Sequence, residues 1–306
     1  MTLFILKRIV QIIPVTLGVT LVVFLIMQMI PGDPALILAG EGASNETVEE
    51  LRENLGLNKP LYLQYGEYIN NLVHGDMGHS LKNKQPVLEE ITTRLPITIE
   101  LAFYSILITI VLGLIAGIIS AIRPYSILDV GLMIVALLGI SLPSFWLGIL
   151  LMYVFSVQLQ WLPVAGWESA KHIILPAITL GAGGAAIVAR MTRSSMLDVV
   201  NQDYIRTAKA KGLKGYVIIL KHALRNALIP VITVVGLQFG TLLGGTVLVE
   251  SVFAVNGLGR MIVDAIRTRD IPVVQGGVLV ASLIFVVINL FVDILYRIFN
   301  KRIDLN

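Results

Sequence analysis

The chain lacks cysteine and carries little charge. None of its 306 residues is a cysteine, only 14% are charged, and the mean hydropathy is +0.84. Without cysteine there are no disulfides, thiolate metal sites or cysteine nucleophiles, and the redox compartment stays undecided. Charged side chains make up about a quarter of an ordinary soluble domain, so the composition excludes that class. The sequence is that of a membrane protein.

Signatures of a bound nucleotide or metal are also missing. No segment has the pattern G-x-x-x-x-G-K-[ST] with which P-loop ATPases cradle phosphates, and the glycine-rich stretch 181–184 lies in an apolar run. The four histidines, His74, His79, His172 and His222, are scattered without metal-site spacing. We therefore predict that this chain has no catalytic residues and binds no metal or cofactor.

Long apolar runs dominate the sequence. A run of about 20 residues is long enough to cross a bilayer as a helix. The runs predict an all-α membrane protein with six transmembrane helices at about 9–30, 99–122, 132–157, 172–192, 227–249 and 273–298. Pro143 lies inside the third run and predicts a kink there. The first run is longer than a signal-peptide core and no cleavage site follows it, so it is predicted to be retained.

The basic residues indicate an orientation. With the N-terminus inside, the cytoplasmic segments hold 14 of the 23 Lys and Arg residues, and five of the other nine lie in the long 33–96 loop. Positive charge in short loops marks the cytoplasmic side. We expect both termini in the cytoplasm and a multi-pass protein of bacterial-type topology.

Two segments outside the predicted spans differ in charge. The outer region 33–96 has ten acidic and five basic residues with helical patterning, which suits either a cap on the spans or a docking surface for an outer partner. The segment 190–225 has eight basic residues against Asp198 and Asp203. Charge attraction to anionic lipid would be enough to explain that excess.

The basic segment is nevertheless patterned. A short helical run from Asp203 is followed by Gly212, a plausible helix stop, and a second run, Tyr216–Leu228, ends near Pro230. The small side chains of Ala208 and Ala210 allow close approach by another body. The pattern predicts a short helix that fits into a partner protein.

Two stretches here, 203–212 and 221–230, resemble the cytoplasmic coupling loop of ABC importer permeases, in the form used by the dipeptide, oligopeptide and nickel subfamily. The general motif has Glu-Ala-Ala, three residues, then Gly; this chain keeps Ala208 and Gly212 but has Arg206 and Thr207 where the Glu and first Ala would stand. Supporting stretches are Pro31–Pro34, Gly75–Ser80, Ser141–Gly148, Trp161–Pro163, Glu250–Phe253 and Gly257–Gly259. Within the subfamily the chain is most similar to B-type subunits of dipeptide and glutathione permeases.

The resemblance implies a type I ABC importer permease fold with three parts. These are an extra N-terminal transmembrane helix at 1–32, an extracytoplasmic region at 33–96, and a permease core at 95–300 with the coupling loop at 193–226. It also implies the partners: a homologous second permease, two cytoplasmic ATPase subunits that carry ATP and Mg, an extracytoplasmic solute-binding protein, and the lipid bilayer. Nothing points to nucleic acid.

Candidate functional residues fall into two groups. The resemblance implies ATPase coupling by Tyr204, Arg206, Ala208, Ala210, Gly212, Lys221 and Arg225, with Ala208, Ala210 and Gly212 as contacts. Polar residues inside spans are candidates for the translocation path, namely Gln238, Glu250, Ser141 and Asn289. Such residues, like Ser282, also serve as helix–helix contacts.

Other span residues have structural interpretations. Asp293 lies four residues before Arg297, which predicts an intrahelical ion pair, and Glu100 borders the second span. Glycines at a spacing of about four predict close helix packing; they are Gly113 and Gly117 in the second span and Gly236, Gly240, Gly244 and Gly245 in the fifth.

The sequence therefore predicts the permease subunit of an ATP-driven importer that moves di- or oligopeptides or glutathione from a binding protein into the cytoplasm. A nickel or metal-chelate importer of the same family is the alternative. An ion-coupled secondary transporter needs titratable residues near the membrane midplane, whereas the acidic candidates here lie near span ends. The coupling loop argues against that class and against a membrane scaffold.

Overall fold

The described part of the protein consists of helices joined by turns and loops. The computed structural model describes residues 2–29, 32–40 and 42–299, and the only β-type pairing in these ranges is one isolated bridge between His79 and Pro86. The α-helices are α1 (Thr2–Met29), α2 (Pro34–Ala39), α3 (Asn45–Asn54), α4 (Leu61–Val73), α5 (Val87–Ile122), α6 (Ile127–Ser141), α7 (Ser144–Met152), α8 (Ala170–Val200), α9 (Asp203–Ala210), α10 (Gly215–Val217), α11 (Leu224–Val252), α12 (Leu258–Thr268) and α13 (Ile271–Phe299). Two π-helices, Tyr153–Gln158 and Ile218–Ala223, follow α7 and α10.

The predicted all-α class is confirmed, and the described residues contain five candidate spans, or the predicted six when a bent pair of helices is counted as one span. Five helical stretches in the described residues are long and apolar enough to cross a membrane: Val10–Met29, Val87–Ile122, Ala170–Val200, Gly215–Leu242 and Ile271–Val292. The sixth consists of Ile127–Ser141 and Ser144–Gln158, which meet at an angle of 110°. The third span is thus a pair of helices.

The bend lies at Pro143, where the sequence predicts a kink. Proline lacks a backbone N–H and disfavours helical geometry in the residue before it. Leu142 accordingly has extended geometry, with ψ 132°, and Pro143 precedes the first turn of α7. The helix therefore breaks fully at this point.

The chain divides into two compact units. The first contains the residues up to Pro96 together with Gly257–Val286, and the second contains Ile97–Asn256 and the residues after Val286. Each unit has its own apolar core.

The core of the first unit joins α12 to the beginnings of α5 and α13. Its buried members include Val87 and Ile91 of α5 and the apolar face of α12, where Leu258, Met261, Ile262 and Ala265 recur at helical spacing. Buried Asp270, just before α13, accepts hydrogen bonds from Ser80 Oγ at 2.5 Å and from the backbone N–H of Leu81 at 3.0 Å. This carboxylate fixes the loop that follows the Gly75–Ser80 stretch.

Asp33 and Gly32 organise the segment after α1. Asp33 caps α2 by accepting from the N–H of Ala35 at 2.9 Å, and it pairs with Arg52 of α3 at 2.5 Å. Gly32 has a φ of +133°, and a Cβ there would lie 1.7 Å from Arg269 Nη1. Only glycine suits this position. Pro31, the first residue of this predicted motif, lies outside the described residues.

The second unit is built on close packing of α5 against α8. A Cβ on Gly113 would lie 2.6 Å from Val188, and one on Gly117 would lie 2.5 Å from Thr192. Glycine on the opposite helix has the same effect, because a Cβ on Gly181 would lie 2.6 Å from the carbonyl oxygen of Ser105. Small residues let helix backbones approach in a membrane, as the spacing of Gly113 and Gly117 predicts.

We expect Gly117→Ala to destabilise the protein, because the added methyl would also lie 2.6 Å from the carbonyl oxygen of Ala189, which cannot yield without moving α8. The expected cost is about 1–3 kcal/mol, as for other overpacked cores. Thermal unfolding in one detergent measures it. Gly131→Ala in α6 is the matched control, since no atom lies within 4 Å of its added Cβ. Equal unfolding temperatures for the two variants would contradict the close approach.

Candidate functional site

The short helix predicted in the basic segment is present as α9, and it ends where the sequence predicts. Its first turn contains Asp203, and the chain leaves the helix through Gly212, whose φ is +74°. Residues other than glycine rarely adopt that backbone conformation. The end of α9 is therefore a property of the local sequence.

One face of α9 is packed against its own chain. Ile205 is 0% exposed and Ala208 is 6% exposed. Both belong to a cluster of buried apolar residues that we call the α9 cluster: Ala121, Met196, Ile205, Ala208, Ile218, Ala223 and Ala227. The cluster joins the ends of α5 and α8 to α9 and the beginning of α11. It holds α9 against the helices that lead into the spans.

The opposite face of α9 is exposed and basic. Arg206, Lys209, Ala210 and Lys211 are exposed, and nothing lies within 4 Å of a Cβ on Gly212. Among the three predicted contact residues, Ala208 thus packs against its own chain, whereas Ala210 and Gly212 are exposed on the surface.

The other predicted coupling residues lie around the same helix. Tyr204 is 42% exposed, and its hydroxyl accepts a hydrogen bond from Asn226 Nδ2 at 2.9 Å. Lys221, in the second π-helix, and Arg225, in the first turn of α11, are exposed. The hydrogen bond from Asn226 ties α9 directly to α11, a link that the sequence alone does not reveal.

The helical run predicted to end near Pro230 continues through it, so that expectation is wrong. Residues 215–252 are helical throughout, first as α10, then as the π-helix, then as α11. A proline removes only one backbone hydrogen bond, and an apolar surrounding offers the remaining groups no partner outside the helix. Helical geometry therefore persists.

The four candidates for a translocation path have different surroundings. Glu250 is 0% exposed and accepts from Thr98 Oγ1 at 2.6 Å. Gln238 is half-buried, and its Nε2 would lie 3.3 Å from a Cβ on Gly184 of α8. Asn289 is half-buried in α13. Ser141 is exposed at the end of α6, and its hydroxyl donates to the carbonyl oxygen of Leu137 at 2.9 Å.

Of four further residues in or beside the predicted spans, two make local hydrogen bonds and two have side chains that the structure does not describe. Glu100 accepts a hydrogen bond from the indole N–H of Trp167 at 3.1 Å, and the hydroxyl of Ser282 donates to the carbonyl oxygen of Val278 at 2.8 Å. The side chains of Asp293 and Arg297 lie outside the described residues.

An ion pair between buried Asp129 and half-buried Arg193 is not predicted from the sequence. Asp129, at the start of α6, is 2% exposed, and Arg193 of α8 donates to it through Nε and Nη2, both at 2.7 Å. Both residues line a cavity of about 450 Å³ that also includes Ser141. The one available signal was a single carboxylate at the edge of a long apolar run. A distant arginine cannot be assigned to it from sequence spacing.

The geometry first defines a class of protein: a helical membrane protein with several spans and one short helix, α9, that is packed on one face and exposed on the other. Its fold is similar to that of a chain of the MetNI methionine ABC transporter in an inward-facing conformation, with a TM-score of 0.58 and 22% identity over 69% of this chain and 96% of that one. That likeness shows the fold alone.

The sequence comparisons show the family. Residues 92–305 match the family described as "binding-protein-dependent transport system inner membrane component". Residues 1–102 match the family that describes the N-terminal part of such membrane components. The chain belongs to this family of inner membrane components.

Relatives match along nearly the whole chain. The dipeptide transport system permease protein DppB of Alkalihalophilus pseudofirmus is 46% identical, with 99% of each chain covered. A putative peptide transport system permease protein of Brucella suis is 49% identical at the same coverage. The glutathione transport system permease protein GsiC of Escherichia coli K12 is 48% identical, with 98% of each chain covered.

We expect Ile205→Ala to loosen α9, because it empties a fully buried position in the α9 cluster. Large-to-small substitutions of this kind cost about 2–5 kcal/mol. Hydrogen exchange of the backbone amides in 203–211 measures the effect, and faster exchange is expected there. Lys209→Ala, on the exposed face of the same helix, is the control and should leave exchange unchanged. Unaltered protection in Ile205→Ala would contradict the packing described for α9.

Proposed function

We propose that this chain is the membrane-spanning permease subunit of an ATP-driven importer that receives di- or oligopeptides or glutathione from an extracytoplasmic binding protein. The observation that carries the proposal is identity of 46–49% along almost the entire chain to permeases named for dipeptide, peptide and glutathione transport. The match includes both the spans and the segment around α9.

We take the proposed partners from the family to which the chain belongs. Because the sequence has no phosphate-binding loop, ATP and Mg would be bound by separate ATPase subunits, two of them as the resemblance implies. A homologous second permease would complete the pathway. The basic segment and both termini would lie in the cytoplasm, and the region 33–96 would lie on the outer face of a bacterial inner membrane.

The structure suggests how α9 would couple to the ATPases. Its buried face, Ile205 and Ala208, is fixed to the α9 cluster, whereas Ala210 and Gly212 remain available to a partner. A helix held in this way moves together with the ends of α5, α8 and α11. ATPase closure around the exposed face would then shift the spans between two arrangements.

Uptake measurements test the substrate class. With the second permease, both ATPases and the binding protein in proteoliposomes, we expect ATP-dependent accumulation of a labelled dipeptide, oligopeptide or glutathione. Omission of ATP is the control and should abolish accumulation. A complex that accumulates only nickel chelates, or that accumulates peptide with an ion gradient and no ATP, would refute the proposal.

We expect Ala210→Trp to disrupt the ATPase contact, because it adds bulk on the exposed face of α9 and leaves the α9 cluster intact. ATP hydrolysis stimulated by the loaded binding protein should fall by about tenfold or more, which is within the usual range of coupling energies. Val10→Trp is the control and should keep normal stimulation, because Val10 of α1 is 57% exposed and lies away from α9 in the sequence. Normal stimulation in Ala210→Trp would remove α9 from the coupling contact.

A further inference from the structure

The carboxylate of the Asp129–Arg193 pair is buried and accepts four hydrogen bonds. Beyond the two bonds from Arg193, the Asp129 carboxylate accepts from the hydroxyl of Ser120 and from the backbone N–H of Tyr125 at 2.8 Å. Ser120 is 0% exposed, and the arginine side chain is 23% exposed. Four donors therefore occupy the two carboxylate oxygens. A single carboxylate joins the end of α5, the start of α6 and α8.

This pair adjoins the α9 cluster along the chain on two sides. Arg193 lies one helical turn before Met196, and Ser120 directly precedes Ala121; both Met196 and Ala121 are members of the cluster. Met196 is 1% exposed, so it is tightly held together with Ile205 of α9. Any displacement of α9 that carries the cluster with it thus reaches Arg193 and Ser120 within one turn.

The start of α6 lacks this apolar link. Among the described residues, no member of the α9 cluster comes from α6. At its other end α6 contacts α8, since a Cβ on Gly139 would lie at ordinary contact distance, 3.6 Å, from the carbonyl oxygen of Ala182. The ion pair fixes the start of α6, the end nearer to the α9 cluster. At a rise of 1.5 Å per residue, that end lies about 20 Å from the helix break before Pro143.

We propose that Asp129 and Arg193 are positioning residues for energy coupling: they make α6, and with it the broken third span, follow α8 when the ATPases move α9. The proposal rests on the proposed function, because it needs ATP hydrolysis and transport to be linked through α9. A bidentate pair suits this role, since it fixes the orientation of the two helices as well as their separation.

Loss of the pair is predicted to uncouple the transporter and not to stop hydrolysis. In Asp129→Asn and in Arg193→Gln, α9 keeps its cluster and its exposed face, so hydrolysis stimulated by the loaded binding protein should stay within about twofold of the unaltered complex. The number of peptides transported per ATP should fall by about five- to tenfold, a typical coupling factor. Arg193→Lys keeps the charge but loses the bidentate geometry, so an intermediate ratio is expected.

Each single variant leaves one charge without its ionic partner, which impairs folding most where that charge is buried, as it is at Asp129. The double variant Asp129→Asn/Arg193→Gln removes both charges and keeps two hydrogen-bonding side chains of similar size. It is expected to assemble and to show the reduced ratio. Gly131→Ala, two residues after Asp129 in α6, is the matched control and should keep the normal ratio, because no atom lies within 4 Å of its added Cβ.

The experiment compares assembled complexes in proteoliposomes, with peptide uptake and ATP hydrolysis measured on the same sample. A normal ratio in the double variant would overturn the proposal. Failure of every variant to assemble would also overturn it, because the pair would then be a requirement for folding alone. If the unaltered complex itself shows no ATP-driven peptide uptake, the proposed function fails instead, so the two failures are distinguishable.

Discussion

The close approach of α5 and α8 is the constraint on which the second unit depends. Glycines on both helices have no side chain to keep the backbones apart. On α5, Gly113 and Gly117 lie against Val188 and Thr192 of α8. On α8, Gly181 and Gly184 lie against Ser105 and Thr109 of α5. In a lipid surrounding, where apolar burial gives helices little reason to associate, such dispersion contacts hold helices together. α8 is accordingly the most buried of the candidate spans.

Buried acidic residues near helix ends hold neighbouring segments together by accepting hydrogen bonds. Asp129 joins α5, α6 and α8; Asp270 holds the loop after the Gly75–Ser80 stretch; Glu250 receives the hydroxyl of Thr98. A buried carboxylate without partners would be strongly unfavourable, so each such group specifies which segments must meet. In a chain with 14% charged residues, these contacts give specificity that the abundant apolar side chains cannot.

The short helix α9 combines a fixed face with a free one. Ile205 and Ala208 are held in the α9 cluster, Tyr204 is bonded to Asn226, and the basic side chains around Ala210 remain exposed. A helix that served only to attract anionic lipid through its basic side chains would not need to be packed in this way. The arrangement suits a part that receives force from a partner and passes it to α5, α8 and α11 together.

The sequence by itself determined what depends on neighbouring residues. Apolar runs of membrane length gave the all-α class and the span count, because a bilayer requires each spanning segment to satisfy its own backbone. Glycine at 212 set the end of α9, and Pro143 marked the place where the third span changes direction. The motifs around α9 also identified the family that the comparisons show.

Tertiary structure alone decided what depends on residues far apart in the chain. The sequence marked Ala208 as a partner contact without showing that it faces its own chain, because the direction of a helix face is set by what packs on it. The pairing of Asp129 with Arg193, and of Ser80 with Asp270, joins residues separated by 64 and 190 positions. No local periodicity relates such positions. They meet because the helices that carry them pack together.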